Sequence, residues 1–232
     1  MFELPKKMLV MLCLGFSSGL PYIILITTSS AWLKDSDVSL TYIGFFAWLT
    51  FAYVFKFLWA PLVDRFSIPI FKRYGHRKSW ILATQIIIIF FIFILSLLSP
   101  QINFTIFCMA AFVIATAGSF QDIAIDAFRI EYAEIADQGN LAAAYQLGYR
   151  LAIIMAASFG LIFADLYGWS LTYKLLSIAM LVGVVGTIFS EEVTNEELGR
   201  LTFVNSIIEP LLDFFTRFKW YMASMLLLII AT

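Results

Sequence analysis

Residues 79–121, SWILATQIIIIFFIFILSLLSPQINFTIFCMAAFVIATAGSFQ, contain no charged side chain. The run is about twice the roughly 20 residues that a helix needs to cross hydrocarbon about 30 Å thick. Ser99-Pro100-Gln101-Ile102-Asn103 interrupts it with turn-forming residues, so it reads as two antiparallel membrane spans joined by a tight turn. The next eight residues, DIAIDAFR, then set Asp122, Asp126 and Arg129 into sequence that is otherwise apolar. A charge at the bilayer centre costs about 3 kcal/mol or more. Such residues need an ion pair, a water-filled cavity or a proton to carry, which points to membrane transport.

Outward from this run the same reading places spans at 8–30, 39–61, 104–130, 140–164 and 171–190. Pro21 is expected to bend or locally unwind the first, because it lacks an N–H. Lys56 interrupts the second. A seventh span begins at Trp220, but from there to Thr232 a helix reaches only about 20 Å. The expectation is therefore the front part of a longer protein: a six-helix bundle over 1–190, a linker over 191–219 and the start of helix seven over 220–232. In the linker, Val204, Ile207, Ile208, Leu211, Phe215 and Phe218 recur at helical spacing opposite Asn205, Glu209, Asp213 and Arg217. That pattern predicts an amphipathic helix along the membrane surface.

Composition agrees with the spans. Charged residues are 13% of the chain against roughly 25% in soluble domains, so lipid is the expected surrounding for most of it. A net charge of −1 gives no support to a nucleic-acid partner. Cys13 and Cys108 lie in apolar runs and read as free thiols. No phosphate loop, metal-ligand cluster or nucleophile–base pair stands out, so neither a cofactor nor catalysis is expected. Lys6, Lys7, Arg65, Lys72, Arg73, Arg77, Lys78, Arg200, Arg217 and Lys219 fall on one side of the spans, with Lys34 and Lys174 on the other. The positive-inside rule then predicts a cytoplasmic N-terminus.

The connection after span two reads Trp59-Ala60-Pro61-Leu62-Val63-Asp64-Arg65, then Lys72-Arg73-Tyr74-Gly75-His76-Arg77-Lys78 after an insert. A carboxylate beside guanidinium groups can latch helix ends in one conformation and release them in another. Asp64, Arg65, Arg77 and Lys78 are candidates for such a latch, with Arg129 near the same end of span four. An ordinary cluster of basic residues at a membrane boundary is the plainer alternative.

At this loop the chain resembles the major facilitator superfamily, whose pattern is Gly-x-x-x-Asp-Arg/Lys-x-Gly-Arg-Arg/Lys. Here Trp59 or Ala60 stands at the first glycine, and Gly75 is delayed by the insert. Within that superfamily the chain is more similar to the AmpG-like muropeptide permeases. The resemblance rests on Gly15-Phe16-Ser17-Ser18-Gly19-Leu20-Pro21, Ile43-Gly44-Phe45-Phe46 and the block from Ala52 to Arg65, together with Gly75-His76-Arg77-Lys78-Ser79-Trp80, Gln121-Asp122-Ile123-Ala124-Ile125-Asp126-Ala127 and Leu147-Gly148-Tyr149-Arg150. It implies an all-α carrier of twelve or more helices in the bacterial inner membrane, importing anhydromuramyl peptides with protons, of which this chain is the N-terminal half. A second six-helix half is then an expected partner. The related acetyl-CoA transporter family shares the layout, so another anionic solute such as an acyl-CoA is an alternative. A non-transporting membrane module or truncated carrier fragment is the other, because six helices supply one wall of a cavity.

Individual polar residues acquire candidate roles. Asp122 and Asp126 are four apart on one helix face, and Arg129 extends the stripe. The carboxyls are candidates for proton coupling, Asp122 the deeper; a structural lock with Arg129 is the alternative. Lys56 either snorkels or pairs with one of the two. Arg150 is expected about 15 Å along span five, near the membrane middle. Its permanent charge needs an internal partner or an anionic ligand. Gln146 shares its face and Tyr149 flanks it, and with Lys56 these three make the expected substrate site.

Overall fold

A computed structural model describes residues 3–191 and Thr216. The chain divides into one unit at Met1–Thr194 and another at Asn195–Thr232. The expected linker helix and seventh span lie outside the described residues, apart from Glu191 and Thr216.

The first unit is helical, as the charge-free runs require: in hydrocarbon each backbone N–H and C=O must be satisfied within its own segment. It comprises α1 (Leu4–Asp35), α2 (Leu40–Val54 and Lys56–Arg65), α3 (His76–Leu95), α4 (Phe104–Tyr132), α5 (Ile135–Tyr167) and α6 (Trp169–Phe189). Five are long and apolar enough to cross a membrane, and α2 makes six if its two parts, bent by 44°, count as one span. The break falls at Phe55, one residue before Lys56. Two causes flank it. Thr50 bonds back to the Ala47 carbonyl at 2.8 Å within a 3₁₀ turn, and Pro61 has no N–H to donate. Pro21 itself sits inside regular helix; the irregularity is a π-turn over Ile24–Thr28, just past it.

The helix ends alternate. At one end Lys6 of α1 pairs with Glu191 after α6 at 2.7 Å, and Lys78 of α3 donates to the Ser190 carbonyl at 2.7 Å. At the other end the Trp169 indole donates to Asp35 at 3.1 Å, and Ser170 donates to the Ser96 carbonyl at 2.7 Å.

α1 is the central helix, packed on α4, α5 and α6. Its contact with α5 is reciprocal. A side chain on Gly15 would strike the Tyr145 backbone, one on Gly148 the Leu12 carbonyl, and one on Gly19 the Tyr149 ring. Backbone cannot swing aside, so Gly148→Ala is expected to destabilise by about 3 kcal/mol. Gly139→Ala, with nothing within 4 Å of the added carbon, should be near neutral. Thermal melting of the two purified variants checks this; equal midpoints would refute the close approach.

Two apolar cores fill the bundle. One gathers Val10, Met11, Leu14, Ile81, Ile125 and Phe128; the other gathers Leu20, Ile24, Ile88, Phe107, Ile114 and Tyr173. Between them along α1, α3 and α4 come Ser17 and Ser18, Gln85, and Gln121 and Asp122. A polar layer therefore separates two greasy ones.

Candidate functional site

The layer is built from one short polar stretch on each of several helices. Ser17 donates to the Leu14 carbonyl at 3.0 Å and accepts from Gln85 at 3.4 Å and from Gln121 at 3.2 Å. Thr187 of α6 donates to the Gln85 carbonyl oxygen at 3.1 Å. These neutral groups are buried, and a buried polar group left without a partner costs about 1–3 kcal/mol. The mesh therefore fixes the register of α1, α3, α4 and α6.

Asp122 extends the layer toward α5. Ser18 donates to its Oδ1, and the Ser18 and Tyr145 hydroxyls lie 2.8 Å apart. A hydroxyl carries one proton, so Tyr145 donates to Ser18 while Ser18 donates to the carboxylate. The chain of bonds crosses three helices. Tyr53 of α2 fits against the bare Cα of Gly118 and meets Tyr22 edge to face at 5.1 Å. Its hydroxyl is buried with no partner among the described residues.

Asp126 has a different environment. Lys56 Nζ lies 3.6 Å from one carboxylate oxygen and an Arg129 nitrogen 3.7 Å from the other. The Arg129 guanidinium also sits over the Tyr145 ring, 5.5 Å from its centre. The expected Asp122–Asp126–Arg129 stripe thus divides: Asp126 faces cations and Asp122 faces hydroxyls. Lys56, expected with the substrate residues, is within ion-pair reach of Asp126, both side chains nearly half exposed.

Arg150 and Gln146 are exposed on the same face of α5, while Tyr149 is half-buried against Gly19. Regular helix in α5 starts at Gln138, which puts Arg150 about 18 Å along it. Among the described residues no carboxylate lies within ion-pair distance of Arg150. The structure thus brings Gln146 and Arg150 together and leaves them open.

At the basic end Arg77 is buried and bonds to Asp64 at 2.6 Å and Glu131 at 3.0 Å, joining the ends of α2 and α4 to the start of α3. Glu131 escaped the sequence reading; its only signal was a carboxylate two residues past Arg129. Lys78 donates to the Ser190 carbonyl, just past the C-terminal end of α6, where a cation complements the helix dipole. Arg65 is exposed, 5.6 Å from the Phe66 ring centre, and Arg129 belongs with Asp126. Of the expected latch residues, Asp64 and Arg77 meet. Ser18 and Tyr145 were also missed, because their role depends on α1, α4 and α5 converging. Ser17-Ser18 between two glycines was the available clue.

Comparison with known proteins gives this arrangement its family. The Major Facilitator Superfamily profile matches residues 8–232. The anhydromuropeptide permease of Escherichia coli (strain K12) is 36% identical over 217 residues, covering 93% of this chain and 43% of that protein. The putative transporter AmpG 4 of Rickettsia conorii is 33% identical over 214 residues, covering 88% of this chain and 51% of its own length. An uncharacterised protein of Haemophilus influenzae is 32% identical over 214 residues, with coverages of 91% and 50%. The chain spans about half the length of the curated relatives it matches. With apolar helices of spanning length and an all-α first unit, the chain belongs to the Major Facilitator Superfamily, a family of multi-pass membrane transporters rather than enzymes.

Proposed function

We propose that this chain is the N-terminal six-helix half of a carrier importing an anionic cell-wall fragment of the anhydromuropeptide class, coupled to protons, across the bacterial inner membrane. The observation that carries the reading is Arg150. Its charge lies far along a membrane span, exposed and with no carboxylate in reach among the described residues. A guanidinium keeps its charge at any accessible pH, so it faces water, an anionic ligand or a second half, not lipid. The name of one relative, anhydromuropeptide permease, supports that class of solute, and that of another, putative transporter, supports a carrier. Gln146 supplies an amide beside Arg150, and Tyr149 borders the site. The basic end faces the cytoplasm by the positive-inside rule, with the N-terminus on that side.

Asp122 takes the proton in this mechanism. Its partner is a hydroxyl, which can donate to a carboxylate or accept from a carboxylic acid, so the contact survives both states. Asp126 is a worse carrier, because its neighbours Lys56 and Arg129 only donate and offer a carboxylic acid proton no acceptor. In the alternating-access cycle the Arg77 bonds to Asp64 and Glu131 close the basic end and part when it opens.

The test is uptake of labelled anhydromuropeptide by vesicles containing this chain with a second half supplied. Asp122→Asn is expected to remove at least tenfold of the stimulation by an imposed proton gradient while leaving binding within a few-fold. Tyr145→Phe should keep the gradient response and weaken it. An Asp122→Asn protein as gradient-driven as the parent would overturn the proton assignment; no uptake from any combination with a second half would overturn the carrier reading.

A further inference from the structure

At the end of α2 and in the connection to α3, two arginines are left uncompensated by the neighbouring carboxylates. Arg77 takes up both Asp64 and Glu131. Arg65 and Arg73 are exposed and, among the described residues, neither is ion-paired. Each lies against the ring that follows it: Arg65 is 5.6 Å from the Phe66 centre and Arg73 is 4.8 Å from that of Tyr74, donating to the Tyr74 hydroxyl at 2.8 Å. The second couple ends a 3₁₀ segment, Pro69–Tyr74. Ile70 is 80% exposed and Phe66 54%.

This exposure belongs to a fastened loop. The Trp80 indole donates to the Phe66 carbonyl, the Ser67 hydroxyl and His76 Nδ1 are 2.6 Å apart, and the Ile68 N–H donates to Ser79 at 3.1 Å. The loop also has a defined height, since α2 ends at Arg65 and α3 starts at His76. Apolar side chains and cations without a carboxylate among the described residues therefore lie together at one end of the spans.

We propose that residues 65–74 dock an anionic phospholipid of the surrounding leaflet, with Arg65 and Arg73 engaging headgroup phosphate and Phe66 and Ile70 resting in the acyl boundary. The proposal rests on the chain spanning a membrane and is independent of the transported solute. A guanidinium fork matches phosphate oxygens with two parallel N–H donors, and stacking on a neighbouring ring pre-orients it. A soluble anion would satisfy the arginines but leave Ile70 in water; a lipid covers both. One basic residue near an anionic surface is worth about fivefold in affinity, so two should outweigh mixing entropy in a mostly neutral bilayer.

The experiment reconstitutes the protein in phosphatidylcholine vesicles and compares spin-labelled phosphatidylglycerol with spin-labelled phosphatidylcholine in the motionally restricted shell. The expected result is a preference for phosphatidylglycerol of about threefold averaged over the shell. It should fall to near one in Arg65→Gln/Arg73→Gln, remain partly in Arg65→Lys/Arg73→Lys, and persist in Lys6→Gln/Lys7→Gln. Absence of preference in the parent protein overturns the proposal, as does equal loss in the Lys6/Lys7 variant. Abolition by millimolar glycerol 3-phosphate overturns it too, because the site is then one for soluble anions. Circular dichroism confirms helix content in each variant, and if the glutamine variant does not fold, the lysine variant and the glycerol phosphate competition decide. The readout involves no transport, so its failure leaves the carrier reading untouched.

Discussion

Arg150→Ala is expected to lower muropeptide uptake about 100-fold or more while leaving membrane insertion and helix content unchanged. Removing one partner of a desolvated, hydrogen-bonded charge pair costs about 2–5 kcal/mol, and 100-fold, about 2.7 kcal/mol, lies in the lower part of that range. The fold should tolerate the change because Arg150 is exposed and satisfies no carboxylate among the described residues. No stranded charge is created. Arg150→Lys keeps the charge but loses the planar fork, so it should retain a fraction of the uptake. Gln146→Ala should cost less, about fivefold, since a neutral hydrogen bond is worth about 1 kcal/mol. Binding and uptake measured separately on purified protein with a second half supplied check the assignment. An Arg150→Ala protein that binds substrate normally yet inserts poorly would make Arg150 a structural residue.

Arg77→Ala is expected to act on stability instead, by about 3–5 kcal/mol. The side chain of Arg77 is 8% exposed and that of Glu131 10%, so truncation strands a buried carboxylate. Glu131 Oε2 already lacks a hydrogen-bond partner among the described residues. The Asp64 side chain is 51% exposed, and an exposed pair contributes about 1 kcal/mol or less. Asp64→Ala should therefore be mild where Arg77→Ala is severe, and Arg77→Met combined with Glu131→Leu should recover much of the loss. Thermal melting in detergent reads this as a drop of roughly 10 °C for Arg77→Ala. Equal drops for the Asp64 and Arg77 variants would contradict the burial argument. The recovered double variant then asks whether an uncharged basic end still opens and closes.

Long apolar runs made the spans legible because hydrocarbon thickness alone sets their length. The bend at Phe55 was not, since the Thr50 side-chain bond and Pro61 lie on either side of a residue with no turn signal of its own. Asp122 and Asp126 announced a site by their depth, but their spacing puts them on equal terms. Ser18 from α1 and Lys56 from α2 tell them apart, and those contacts are tertiary. Arg150 was legible as a charge in need of a partner, whereas its openness required knowing which face of α5 meets α1. Gly148 marks that face, and Arg150 lies only two residues from it. The neutral layer of Ser17, Gln85 and Gln121 escaped because serine and glutamine raise no charge alarm in an apolar run.

The π-turn of α1 at Ile24–Thr28 faces another in α5 at Ile154–Phe159, and Thr28 donates to the Ala156 carbonyl at 3.0 Å. Each π-turn accommodates one surplus residue relative to an α-helix, which advances everything beyond it by about 100° of azimuth. A helical wheel drawn continuously through either helix therefore assigns the wrong face to Ser29–Asp35 or to Gly160–Tyr167. Because both helices slip by the same step at matched heights, their mutual registry survives while the phase of each against the remaining helices changes. An insertion in one helix alone would break that mutual registry, so a one-residue gap in either helix of a relative should be sought together with its counterpart in the other.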